Sequence, residues 1–121
     1  METKYQDLYQ TIQSQLETAS PVLQAIGDPT RLHILLSMMA LPCQTQGGAR
    51  VGAITEQTHL SRPAISHHLK ILKEAGIVSM RSEGTKNFYY LTTEGSSLEQ
   101  LQDLLNNIMQ LNTLLNKEAH Q

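Results

Sequence analysis

The apolar residues of this chain change their spacing near residue 77, and that change constrains the fold more than any other feature. From Ser61 to Ala75 they recur at three- and four-residue steps, as Ile65, Leu69 and Leu72, which is the period of an amphipathic helix. Ser61 suits the cap of that helix, Pro63 its first turn, and Ala75-Gly76 a glycine stop. From Ile77 to Arg81, and again from Asn87 to Leu91, the residues turn to Val, Ile, Phe and Tyr. With Glu83-Gly84-Thr85-Lys86 between them, these two runs predict a β-hairpin. Val78 and Met80 are expected on one side of it, paired across the strands with Phe88 and Tyr90. A capped helix running straight into a hairpin leaves few folds open.

The rest of the chain is helical in pattern. Tyr5, Leu8, Ile12, Leu16 and Ala19 mark a first amphipathic helix. Ser20-Pro21 reads as a stop and restart, with a short helix from Pro21 to Ile26. Gly27-Asp28-Pro29 repeats that device and opens a helix to about Ala40. Its Leu32, Ile34, Leu35, Leu36, Met38 and Met39 are apolar all round, which predicts a central, buried element. Pro42 to Gly48 reads as a loop, and Val51 to Thr58 as a short helix. After Thr92-Thr93, a capping pair, Leu98, Leu101, Leu104, Leu105, Ile108, Leu111, Leu114 and Leu115 predict a long helix over 94–118.

The fold class is therefore mainly α with a β-hairpin wing, a winged helix-turn-helix in the order α-α-α-α-β-β-α. One domain is expected from 121 residues. It comprises a core over 20–91, with its wing at about 77–91, and flanking helices at 1–19 and 94–118. No apolar run approaches the ~20 residues of a membrane span. Met1 to Tyr9 lacks the apolar stretch of a secretory signal. The single cysteine, Cys43, has no internal disulfide partner, so the expected location is the reducing cytoplasm, with no membrane partner.

A net charge of −2 speaks against a nucleic-acid partner until it is divided along the chain. Residues 1–49 carry −2 and residues 92–121 carry −3. Residues 50–91 carry +3, from Arg50, Arg62, Lys70, Lys73, Arg81 and Lys86 against Glu56, Glu74 and Glu83. A helix over 61–75 is roughly 22 Å long and fits the major groove of B-DNA. With its apolar stripe inward, Ser61 stands at its start and Arg62, Pro63, Ser66, His67 and Lys70 lie outward. Arg62 is the expected base reader, because its planar fork matches guanine O6 and N7. Arg81 and Lys86 flank the hairpin turn, where they suit a phosphate or a minor groove. Any one of these charges reads equally as solvated surface. Their coincidence on helix and wing favours double-stranded DNA. A protein-interaction module using the Leu-rich last helix, the alternative, gives no reason for that coincidence. No nucleophile–base pair or glycine-rich phosphate loop stands in the sequence, so no enzyme is expected.

Two stretches and the wing resemble the ArsR/SmtB-type repressors. They are Ala25-Ile26-Gly27-Asp28-Pro29-Thr30-Arg31-Leu32-His33-Ile34-Leu35, the run from Leu60-Ser61-Arg62-Pro63 to Gly76-Ile77-Val78, and Arg81 to Leu91. The resemblance implies a homodimeric transcriptional repressor that leaves its operator when a metal ion, a thiol oxidant or another effector acts. It also implies an interface made by the first and last helices. Their surplus apolar stripes agree, which puts Leu8, Ile12, Leu104, Ile108, Leu111 and Leu115 at a two-fold interface. Half-sites would then lie ~34 Å apart.

The family's metal sites are not expected here. At its thiolate positions, Cys-x-Cys, this chain has Arg50 and Gly52. Its site on the last helix needs Asp-x-His, whereas Asp103 precedes Leu104-Leu105 and no histidine follows until His120. His33 is expected as a packed or partly exposed residue, His67 toward DNA and His68 toward the core. No cofactor is expected, and the residues name no effector. Cys43, beside Gln44 and Thr45, is the one candidate for a redox response, as in a thiol-responsive repressor, but it has no basic neighbour in sequence to lower its pKa.

Overall fold

The computed structural model of the chain describes residues 2–41, 47–92 and 94–119. Its elements run α1 (Glu2–Ile26), α2 (Pro29–Ala40), α3 (Val51–Thr58), α4 (Arg62–Glu74), β1 (Val78–Glu83), β2 (Lys86–Leu91) and α5 (Ser97–Ala119). This is the order expected of a winged helix-turn-helix. The core they enclose is built on Ile34, Met38, Ile54, Ile65, Leu69, Leu72, Ile77 and Leu104, all fully buried.

The expected break at Ser20-Pro21 does not occur, since α1 runs through Pro21. Pro21 is exposed, while Ile12, Ala19, Val22 and Ala25 continue one buried stripe on either side of it. Packing of that stripe outweighs the one hydrogen bond that proline cannot donate. Asp28 caps α2 as expected, accepting from the N–H groups of Thr30 at 2.8 Å and Arg31 at 3.1 Å. However, α2 is not buried all round. Ile34, Leu35 and Met38 face the core, but Leu36 and Met39 are 65% and 60% exposed, and His33 is exposed. A helix at the surface of so small a domain has a core on one side only.

α3 ends at His59, whose φ of 62° makes the left-handed stop of the helix-turn-helix turn. Ser61 then caps α4, accepting from Ala64 N–H at 3.3 Å. At the far end Gly76 N–H donates to Lys73 C=O and Ile77 N–H to Leu72 C=O, both at 3.0 Å. That pair of bonds is a Schellman stop, and the φ of 80° at Gly76 is what it demands.

The hairpin corrects the expected pairing. Val78 faces Leu91, Met80 faces Tyr89, Ser79 faces Tyr90 and Arg81 faces Phe88. A two-residue loop, Gly84-Thr85, between Glu83 and Lys86 pairs odd with even positions, and a one-residue difference moves a side chain to the other face. Phe88 and Tyr90 therefore share the face of Arg81 and Ser79. Ala49 adds a third chain to this sheet, exchanging hydrogen bonds with Tyr89 at 2.7 and 2.8 Å.

α5 begins at Ser97, three residues later than expected. Glu94 and Gly95 form a turn, and Ser96 is the cap, accepting from Glu99 N–H at 3.3 Å. Thr92 instead meets Ser79 hydroxyl to hydroxyl at 2.6 Å, and Thr93 lies outside the described residues. α5 folds back along α1, pinned by Asn107 Nδ2 donating to Gln15 Oε1 at 2.9 Å and Tyr5 OH donating to Leu114 C=O at 3.3 Å. That packing already covers some of the residues expected at a two-fold interface. Ile12 and Leu104 are buried within one chain, and Leu8 and Leu111 are half-buried against its core. Ile108 and Leu115 stay exposed, at 38% and 50%. Among the described residues no helix is long and apolar enough to cross a membrane.

Candidate nucleic-acid interface

The site is built on α4. With Ile65, Leu69 and Leu72 inserted in the core, helical geometry turns Arg62, Pro63, Ser66, His67 and Lys70 outward, and each is exposed, as is Ser61 at the cap. Lys73 is exposed in the same row. Lys70 has no ion pair among the described residues. His67 stands edge-on to His68 with ring centroids 5.4 Å apart. The helix of 13 residues presents roughly 20 Å of polar, cationic surface.

The wing departs from its sequence reading in one residue. Arg81 is not a free cation, because its Nε donates to Gly47 C=O at 2.9 Å, its guanidinium lies 4.5 Å over the Phe88 ring, and it pairs with Glu83. It fastens the wing to residues 47–49. Gly48 completes that junction: a Cβ there would lie 3.0 Å from Phe88 Cβ and from Tyr89 O, at a φ of 115°. Lys86, at the wing tip, is exposed and free of ion pairs among the described residues.

Arg62 also differs from expectation. Its guanidinium is turned back over the first turn of α3, where a Cβ on Gly52 would lie 3.0 Å from Nη2. Arg50, Val51, Gly52, Ala53, Glu56, Arg62, Thr85 and Asn87 line a cleft of about 440 Å³ there, between α3, the start of α4 and the wing turn. Arg50 was not among the expected site residues. Its place before α3 and inside the basic block was the available signal, overshadowed by comparison with thiolate positions. A larger concavity of about 640 Å³ between α1 and α5 is lined by Asp7, Asp103 and polar neighbours without a cation.

Behind α4, Arg31 gathers three helices. Its Nε donates to Ala25 C=O at 2.7 Å and its Nη2 to Gln24 C=O at 3.2 Å, while Nη1 lies 3.4 Å from His68 Nδ1. His68 is half-buried, as its core-side assignment implied. The Asp28 carboxyl is held below the usual carboxylate range, first by the backbone N–H of Arg31, against a smaller opposing effect of burial. Among the described residues no three His, Cys, Asp or Glu side chains gather as a metal site. Cys43 and His120 lie outside the described residues.

A short helix, a three-residue turn, an outward-facing basic helix and a hairpin wing define the winged helix-turn-helix class of regulators. The model of the bacterial regulatory proteins of the arsR family matches residues 28–80, from the Asp28 cap into β1. The chain is 45% identical to an uncharacterized HTH-type transcriptional regulator of Methanocaldococcus jannaschii over 64% of this chain and 82% of that one. It is 40% identical to the transcriptional repressor SdpR of Bacillus subtilis over 60% and 73% of the two chains. A homodimeric winged helix-turn-helix DNA-binding domain from Mycobacterium bovis, solved in solution, superposes with a TM-score of 0.57 at 26% identity, covering 83% of this chain and 87% of that one. The chain belongs to the arsR family of transcriptional regulators.

Proposed function

We propose that the chain is a repressor that binds operator DNA in the cytoplasm as a two-fold homodimer, placing α4 in the major groove and the wing along the backbone. The observation that carries this reading is the outer face of α4. Ser66, His67 and Lys70 are exposed there, opposite a stripe fully committed to the core. Ser61 and Pro63 set the N-terminal end that docks first, and Lys86 supplies the wing's free charge. Arg81 acts indirectly, by fixing where the wing stands.

The dimer follows from apolar surface left over after α1 and α5 pack on each other. Tyr9, Leu16 and Leu23 recur every seven residues along α1, and Leu98, Leu105, Ile108, Met109 and Leu115 remain exposed on α5. A second copy covers such a surface with itself. The homodimeric relative from Mycobacterium bovis supports the same arrangement.

Titration of a duplex selected by the protein from a random pool tests the reading. Lys70→Ala should weaken binding to that duplex about 10-fold or more, while a circular-dichroism melt stays unchanged. Equal affinity of parent and Lys70→Ala for every duplex would exclude α4 as the reading element.

A further inference from the structure

We propose that the cleft between α3, the start of α4 and the wing turn seats one phosphodiester of the DNA backbone, gripped by Arg50 and Arg62. This rests on the DNA-binding reading and deepens it. The four arginines of the chain divide into two pairs. Arg31 is committed to backbone carbonyls of α1 and to His68, and Arg81 to Gly47, Glu83 and Phe88. Arg50 and Arg62 have neither hydrogen bond nor ion pair among the described residues, and both line this one cleft. Two unpaired guanidinia on one concavity form a site for an oxyanion, which each can hold through two N–H groups.

The surroundings suit a diester. Asn87 and Thr85 close the wing side with neutral polar groups. No side chain caps α3, and the first N–H groups to find carbonyl partners are those of Ala53 and Ile54, so those of Val51 and Gly52 remain available. Gly52 lets Arg62 lie over that turn, since any side chain there would crowd Nη2. Glu56 is the one acid on the wall, one helical turn below Gly52, and it opposes an anion. The cleft shares Arg62 with the outer face of α4 and adjoins Lys86 at the wing. A DNA strand passing from α4 to the wing crosses it. Arg62 is thus a backbone clamp, and base reading falls to Ser66, His67 and Lys70.

The test measures full-length parent, Arg50→Ala, Arg62→Ala, Arg62→Lys and Lys70→Ala on the selected duplex and on a scrambled one, across a salt series. Arg50→Ala and Arg62→Ala should each weaken both duplexes alike, about 10-fold, and reduce the salt slope by about 1. Arg62→Lys should recover most of the slope, because a point charge suffices for a phosphate. A methylphosphonate at the contacted position should abolish the effect of Arg62→Ala. Loss confined to the selected duplex with an unchanged slope makes Arg62 a base reader and overturns the proposal. So does weakening by Lys70→Ala alone, which leaves the DNA reading standing. If the parent binds no duplex, both fall. If millimolar inorganic phosphate at constant ionic strength displaces duplex from the parent but not from Arg50→Ala, the cleft is a free-anion site and the backbone assignment is overturned.

Discussion

Arg31 Nη1 stands 3.4 Å from Nδ1 of His68, and at that contact the end of α1, the cap of α2 and the middle of α4 meet on one guanidinium. The same side chain satisfies the carbonyls of Gln24 and Ala25, which the end of α1 would otherwise leave without partners. Removing it by Arg31→Ala should destabilise the chain by about 2 kcal/mol, visible as a lower melting temperature. Arg31→Lys should recover less than half, because an ammonium cannot bridge two carbonyls and a histidine with fixed geometry. A melt identical to the parent's would remove Arg31 from this role.

The cap at Asp28 carries a pH dependence of defined sign. Its carboxyl is depressed in the folded chain, chiefly by the Arg31 N–H and further by the Thr30 N–H and the Arg31 and His68 charges. A depressed acid stabilises the fold above its unfolded value and loses that contribution as pH falls through the folded one. Melting temperature should therefore fall between about pH 5 and about pH 2 more steeply for the parent than for Asp28→Asn, which keeps a capping oxygen but does not titrate. Parallel curves would contradict this.

Arg81 and Lys86 separate positioning from charge. Arg81→Ala frees the Gly47 carbonyl and uncovers Phe88, so DNA affinity should fall about 3- to 10-fold with a nearly unchanged salt slope. Lys86→Ala should lower the slope by about 1 with no change in the melt. A slope loss for Arg81→Ala would return it to the set of phosphate contacts.

The two-fold interface is tested on residues that one chain leaves bare. The pair Leu105→Glu and Ile108→Glu should convert a dimer to a monomer in sedimentation, with association weakened more than about 100-fold, since two leucine-sized burials are worth about 3 kcal/mol or more. Leu104→Glu should instead unfold the chain, because Leu104 is 1% exposed within it. Dimers that survive the double substitution would place the interface elsewhere.

Most of the fold was legible where a cap announced an element: Asp28 for α2, Ser61 for α4 and the glycine stop at Gly76. What escaped depended on contacts distant in sequence. α1 passes through Pro21 because α5 and the core hold the stripe on both sides, and no local rule weighs that packing. The hairpin was visible, but its register follows from a loop of two residues instead of four, which composition alone leaves open. The site was legible as an outward face on α4. Yet the commitment of Arg81 to Gly47, and the turn of Arg62 toward Gly52, are meetings across 34 and 10 residues that no spacing encodes.

The central claim is that the basic middle of an acidic chain grips duplex DNA, and the salt dependence of binding tests it most directly. Arg50, Arg62 and Lys86 from each protomer give six phosphate contacts in a dimer, so log K against log salt should fall with a slope of roughly −5. A slope near zero, or no duplex binding at low salt, would contradict it.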